Sequence, residues 1–181
     1  MHNTVLGQYR SQITGAVSIA ERPAEVADRA VPGHREGDLV LGRHWTQLAT
    51  VVERSTRVTV LLKLTGRDMH AVTAGLTREM GRLPEHLRRS LTWDRGLGLA
   101  NHQVVTANIG LEVYFAAPHS AWQRGTNENT NRLLRQYFPK GVSMTSRTQA
   151  DLDLIAAKLN ARPRKAQAFD SPATRFEALL R

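Results

Sequence analysis

The order of strand-like and helix-like segments restricts the fold of this chain more than any other feature. Three apolar, β-branched runs come first, and two of them flank the turn-like sequence Arg54–Arg57, which is typical of a hairpin. Further strand-like runs then alternate with segments of helical periodicity. The predicted strands cover residues 38–42, 48–53, 58–64, 90–93 and 111–115, and the predicted helices cover 68–82, 99–107, 123–137, 149–159 and 173–180. This order predicts an α/β fold with a mixed five-stranded sheet flanked by helices.

Length and composition indicate one globular domain. The 181 residues suit a single domain with a short extension. We assign residues 1–33, which have little apolar periodicity, to a linker or N-terminal extension, and residues 34–181 to the folded domain. The sequence has no cysteine and no apolar run long enough to span a membrane, so we expect no disulfide, no thiolate metal site and a cytoplasmic location.

The charge balance favours a polyanionic partner. The chain has 25 Lys and Arg against 16 Asp and Glu, a formal net charge of +9. Each phosphate that is neutralised by Lys or Arg releases counterions, so an excess of this kind favours nucleic acid. Composition alone also fits a soluble protein that is rich in arginine, so the positions of the acidic residues have to decide the interpretation.

Three acidic residues lie where a structural role explains them least. Asp38 lies within an apolar strand, Asp94 directly follows a strand, and Glu128 lies in the polar run 123–131 at the start of a helix. Each alone fits a structural or capping role, but together they predict an oxygen-ligand site for Mg²⁺, which also binds phosphate substrates. Two such ions would activate the attacking oxygen and stabilise the leaving oxygen of a phosphodiester displacement. The sequence has no zinc-type histidine pair, nucleophile elbow, Walker loop or dinucleotide-binding motif.

Several sequence blocks carry a family resemblance. Residues 33–39 read Gly-His-Arg-Glu-Gly-Asp-Leu, and residues 91–96 read Leu-Thr-Trp-Asp-Arg-Gly. A long block around Glu128 covers residues 114–141, and a further match covers 159–165. Through these blocks the chain resembles the DDE transposases of the insertion-sequence thirty (IS-thirty) family. The 33 residues between Asp94 and Glu128 match that family's DD(33)E spacing.

The resemblance implies a fold, an activity and a set of ligands. It implies an RNase H-like core, as in retroviral integrases, and a polynucleotidyl transferase that cleaves and transfers DNA strands during transposition. Asp38, Asp94 and Glu128 would be the catalytic residues and would hold Mg²⁺ or Mn²⁺, as two ions. The expected partners are transposon ends and target DNA, with a homo-oligomer or co-assembly with a full-length transposase, in association with the nucleoid.

The helix that carries Glu128 also presents basic residues. Spacings of three and four positions place Asn131, Arg132 and Arg135 on the same helix face as Glu128. Arg124 lies just before this helix and Lys140 just after it, so we predict that these five basic and amide residues contact DNA. The alternative for any one of them is a solvated basic helix face.

The chain departs from the family pattern at a few positions. Arg35 stands where the family usually has Trp, Ala121 where it usually has Pro, and residues 97–99 where it more often has an acid and Met. The family's N-terminal helix-turn-helix region has no counterpart before the first block, which favours a truncated copy or a separately encoded core. Two alternatives to an active transposase core therefore stay open: a non-catalytic DNA- or transposase-binding regulator or relic, and a general RNase H-like repair nuclease.

Overall fold

A six-stranded mixed sheet forms the centre of the protein. The computed structural model describes residues 13–64, 69–94, 96–117 and 120–181. The strands lie in the order β1-β6-β5-β2-β3-β4 across the sheet. Their bounds are Val17–Ser18 (β1), His34–Leu41 (β2), Gln47–Glu53 (β3), Thr59–Lys63 (β4), Ser90–Trp93 (β5) and Glu112–Phe115 (β6). The mixed α/β fold predicted from the sequence is confirmed.

The pairing divides the sheet into an antiparallel half and a parallel half. Strands β2, β3 and β4 form the predicted antiparallel meander, whereas β5 pairs in parallel with both β2 and β6. The prediction of five strands is wrong by one. The extra strand β1 pairs Val17 and Ser18 with Tyr114 and Phe115. A two-residue strand is too short to show the alternation that identifies strands in a sequence, and it lies in the segment assigned to a linker.

Five α-helices flank the sheet at the predicted places. They are Met69–Gly81 (α1), His102–Ile109 (α2), Gly125–Leu134 (α3), Gln149–Asn160 (α4) and Pro172–Leu179 (α5). Helix α3 is shorter than predicted, because the chain forms a 3-10 turn over Ala121–Arg124 and Arg124 has non-helical dihedral angles. The predicted start of the first helix at residue 68 lies outside the described residues.

The two sheet faces carry different helices because side chains alternate along each strand. Helices α1 and α2 cover one face, and α3 and α4 cover the other. The α1/α2 face buries an apolar cluster of Ala49, Val51, Leu62, Leu76, Leu91, Trp93 and Phe115, among others. The α3/α4 face buries a smaller cluster that includes Val40, Leu48, Leu61, Leu134, Leu152 and Leu159. Even-numbered residues of β2, including Asp38, therefore point toward α3 and α4.

No helix within the described ranges combines the length and the apolar character that crossing a lipid bilayer demands.

Candidate active site

Two of the predicted carboxylates lie side by side at the junction of the two halves of the sheet. The parallel register pairs His34 with Ser90 and Glu36 with Thr92. Continued by two residues, it would bring Asp94, just beyond the end of β5, to the level of Asp38. Asp94 also contributes to raising the pKa of Asp38 by like-charge repulsion. The sheet thus brings together two residues that are 56 positions apart in the sequence.

Residues of the α3 region hold the Asp38 carboxylate. Arg124 forms an ion pair in which Nη1 lies 3.1 Å from Oδ1, and Asn131 Nδ2 donates to Oδ2 at 3.1 Å. The backbone N–H of Leu39 donates to Oδ1 at 2.9 Å. Burial raises the pKa of Asp38 above its ordinary value, the Arg124 charge opposes that shift, and Asp94 adds to it. Arg124 is therefore a cation that compensates the Asp38 carboxylate in this structure.

Glu128 lies on α3 three residues before Asn131, which bonds Asp38. Positions 124, 128 and 131 follow the four- and three-residue spacing of one face, and Arg124 and Asn131 both bond Asp38. The side chain of Glu128 itself is exposed and makes no hydrogen bond or ion pair with a described residue. Within residues 13–64, 69–94, 96–117 and 120–181, no group of three or more His, Cys, Asp or Glu side chains is arranged to hold a metal ion. Convergence of all three carboxylates stays a prediction.

A buried polar network anchors α3 to the strand that carries Asp38. Glu36 is fully buried, and its Oε1 accepts from Arg54 Nε at 2.8 Å. Its Oε2 accepts from the backbone N–H of Asn127 at 2.9 Å. Thr50 completes the contact by donating to Asn127 Oδ1 at 2.8 Å. Because these groups fix the first turn of α3, they also fix where Arg124, Glu128 and Asn131 can reach.

Sequence reasoning missed this supporting network. Glu36 lies two residues before Asp38 and so points to the same sheet face, a signal that was present in the sequence. No sequence pattern indicated the pairing of Glu36 with Arg54. The two residues lie 18 positions apart and come together only in the folded β2–β3 hairpin.

The predicted DNA-contact residues divide into two groups. Arg124 and Asn131 point inward and bond Asp38, while Arg135 Nη1 bonds the backbone carbonyls of Leu41 and Phe138 at 3.4 and 3.3 Å. Arg132 and Lys140 are exposed to solvent. The exposed pair is free to meet a ligand directly, whereas Arg124 would first have to leave Asp38.

The departures from the family pattern lie at different places. Arg35 points to the sheet face opposite Asp38 and is 1% exposed, so its side chain does not line the candidate site. Arg95, Pro118 and His119, which belong to the matching blocks, lie outside the described residues, as does the side chain of Ala121.

Comparison with known sequences identifies transposases of insertion elements as relatives of this chain. The chain is 49% identical over 160 residues to the transposase InsI of insertion element IS30C from Escherichia coli K12, a match that covers 88% of this chain and 42% of InsI. It is 46% identical to the transposase of IS1086 from Cupriavidus metallidurans, over 90% of this chain and 48% of that protein. The chain thus spans a little less than half the length of these curated relatives. No protein-family model matches the chain.

Comparison with solved structures identifies the fold. The catalytic core domain of BIV integrase superposes with a TM-score of 0.59 at 15% sequence identity, over 81% of this chain and 94% of that domain. At this identity the likeness concerns the fold alone, and it confirms the predicted RNase H-like architecture.

Proposed function

Because this chain is a homologue of the IS30-family transposases over 88% of its length, we propose that residues 34–181 form the catalytic core of a transposase. The core would cleave DNA strands and transfer them, with Asp38, Asp94 and Glu128 as its catalytic carboxylates. The observation that carries the proposal is the level placement of Asp38 and Asp94, with the α3 face bonded directly to Asp38. Residues 1–33 would be an extension whose strand β1 adds to the sheet edge.

The residues at the site fit a hard divalent cation. Mg²⁺ is bound through one or two carboxylates while it keeps several waters, and Asp38 with Asp94 supplies that donor set. The ion pair of Arg124 with Asp38 supports this fit, because it places a positive charge at one of these carboxylates. When bound, a pair of Mg²⁺ or Mn²⁺ ions would activate the attacking oxygen and stabilise the leaving oxygen. Glu128 would complete the second ion's ligands by a side-chain movement on α3.

The protein's own contribution is positioning. In phosphoryl transfer the enzyme mainly aligns groups and neutralises charge. Asn131 and the Leu39 N–H each bond one oxygen of Asp38 and so fix the plane of that carboxylate. The Glu36–Arg54 pair and the Asn127 N–H hold the start of α3 against β2. Release of Arg124 from Asp38 would free both the carboxylate and a cation that can bind a DNA phosphate.

The proposed partners follow from the same site. Transposon-end and target DNA are the proposed substrates, and Arg132 and Lys140 are the exposed cations on the α3 side that would contact their phosphates. Self-association, or co-assembly with a longer transposase at the nucleoid, is proposed together with them.

Substitution of the carboxylates tests the proposal. We expect Asp94→Asn and Glu128→Gln to lose Mn²⁺-dependent nicking of a labelled DNA duplex by about 10²–10³-fold or more, because no other side chain replaces a charged ligand. Asp153→Asn is the matched control, because Asp153 is an exposed aspartate on α4. Equal activity of parent, Asp94→Asn and Asp153→Asn would refute the catalytic assignment.

The same measurement separates the alternative function. A chain that binds DNA but shows no carboxylate-dependent nicking would act as a non-catalytic regulator. The inward position of Arg124, which occupies Asp38, is the observation that favours that alternative.

A further inference from the structure

A second basic surface lies away from the carboxylates, on the turn between β3 and β4 and on the segment after α4. It consists of Arg57, Arg162, Arg164 and the exposed Phe169, and we call it the hairpin–loop platform. Thr50 lies level with Asp38, and the turn begins four residues farther along β3. At about 3.3 Å per strand residue, the platform begins about 13 Å from the carboxylates, which is about four base steps of DNA.

Hydrogen bonds hold the parts of the platform in fixed relative positions. The side chain of Asn160, at the end of α4, bonds both the N–H and the carbonyl of Thr59 at 2.9 Å. Gln167 is 3% exposed and donates to the carbonyl of Ser55 in the turn at 3.1 Å. Residues that lie about a hundred positions apart in the sequence are thereby joined into one rigid surface.

The arginines of this surface form no ion pair with an acidic side chain in the part of the chain that the structure describes. Among the described residues none of Arg57, Arg162 and Arg164 takes part in an ion pair, and Arg164 Nε is buried without a hydrogen-bond partner. Burial, together with the charge of Arg29, lowers the pKa of Arg57, and the charge of Glu36 only partly opposes that shift. Burial, together with the charges of Arg162 and Arg57, lowers the pKa of Arg164. Like charges held this close favour a polyanion that would relieve their repulsion.

Phe169 stands out beside these arginines. Its side chain is 68% exposed, and its backbone, like that of Ala168, has a left-handed conformation with a positive φ. The N–H of Phe169 donates to the Arg164 carbonyl at 3.0 Å, and the Arg164 N–H donates to the Asp170 carbonyl at 3.0 Å. A conformation that phenylalanine rarely adopts is thus maintained by the loop, and such strain is concentrated at functional sites.

We propose that the hairpin–loop platform binds a DNA strand, with phosphates on Arg57, Arg162 and Arg164 and an unpaired base stacked on Phe169. Aromatic side chains beside a basic groove are the means by which proteins bind single strands without sequence preference. This proposal rests on the proposed DNA-processing function, because the strand would reach the platform from the carboxylates. Arg162 is already oriented for this by bonds to Gln136 Oε1 and the Tyr137 hydroxyl, at the C-terminal end of α3.

Binding of a labelled single-stranded oligonucleotide, followed by fluorescence anisotropy at several salt concentrations without divalent metal, tests the platform. Phe169→Ala should weaken binding by about 5–100-fold with an unchanged salt slope, and Phe169→Trp should retain it. The double variant Arg57→Gln/Arg162→Gln should lower the salt slope by about 1.4, or about 0.7 for each lost phosphate contact.

Two variants serve as matched controls. Arg82→Gln removes an exposed arginine directly after α1, the helix that covers the sheet face opposite Asp38, and Leu154→Ala removes an exposed apolar side chain on α4. Both should bind like the parent protein. Unchanged affinity of Phe169→Ala, or an Arg82→Gln defect equal to that of the arginine pair, would overturn the proposal.

Nicking by the same variants separates this proposal from the proposed function. If the platform variants bind the strand normally and the parent shows carboxylate-dependent nicking, the platform proposal is rejected and the catalytic assignment is retained. If those variants bind the strand more weakly and the parent does not nick DNA, the catalytic assignment is rejected and the platform proposal is retained.

Discussion

The two faces of the sheet are buried by different means. The α1/α2 face is closed by a continuous apolar cluster with Trp93 and Phe115 at its centre. The α3/α4 face has a smaller apolar cluster, and beside it lie the ion pairs Glu36–Arg54 and Asp38–Arg124. The charged groups fix the position of α3 relative to β2, whereas the apolar cluster packs α1 and α2 against the sheet. Both faces thus contribute to stability, but only the polar face also fixes the geometry for the proposed chemistry.

The largest expected effect comes from the polar face. Glu36→Gln leaves the charge of Arg54 buried without a counter-ion, so we expect it to lower the free energy of unfolding by about 3–5 kcal/mol. Urea denaturation measures this loss. Glu25→Gln is the control, because Glu25 is half-exposed where it pairs with Arg89 and should lose at most about 1 kcal/mol. Equal losses in the two variants would remove the distinction between buried and exposed pairs.

A cavity on the apolar face should be nearly as costly and should not affect chemistry. Leu76 of α1 is fully buried in the cluster of that face. Leu76→Ala is expected to lose about 2–5 kcal/mol of unfolding free energy, while the folded protein keeps its nicking rate. Leu154→Ala, at an exposed position, should leave both quantities unchanged. A folded Leu76→Ala protein with much lower activity would contradict the division of roles between the faces.

Arg35 is the exception on the apolar side, and its replacement should increase stability. Its Nη2 donates to the Leu87 carbonyl at 3.0 Å, but Nε and Nη1 are buried without hydrogen-bond partners. Burial lowers the pKa of Arg35 to about 10. Arg35→Met removes the unsatisfied groups and should raise the unfolding free energy by about 1–3 kcal/mol. Arg35→Lys keeps a buried charge, so a gain of the same size in Arg35→Lys would show that charge burial is not the cause.

The smallest expected effect tests the ion pair at Asp38. Arg124→Ala removes the cation that competes for this carboxylate, so the affinity for Mn²⁺ should rise by about tenfold, or about 1.4 kcal/mol. Titration calorimetry without DNA measures this directly. Arg132→Ala, on the same helix but exposed, should bind Mn²⁺ like the parent. Weaker binding by Arg124→Ala would mean that Arg124 supports the site and does not compete for it.

The α/β fold and the places of Asp38, Asp94 and Glu128 along its strands and helices could be predicted from the sequence, because their signals are local. Apolar and β-branched runs predict β2 to β6, and helical periodicity predicts α1 to α5, with errors at the ends. The prediction of 38–42 for the first of these strands missed the polar start of β2, which begins at His34. The 3-10 turn at residues 121–124 and the two-residue strand β1 escaped because each is shorter than the pattern that would reveal it.

The contacts between residues that are distant in the sequence were decided only by the tertiary structure. The bonds of Asp38 to Arg124 and Asn131, and of Gln167 to Ser55, join positions roughly a hundred residues apart. Sequence patterns place such residues on a face, but the direction of a flexible arginine depends on the charges that packing brings near it. Arg124 therefore points to a carboxylate, Arg35 is buried on the opposite face, and the charge of Arg57 acts on Arg164. Long-range burial and electrostatics decide these positions, and unlike backbone periodicity they exist only in the folded chain.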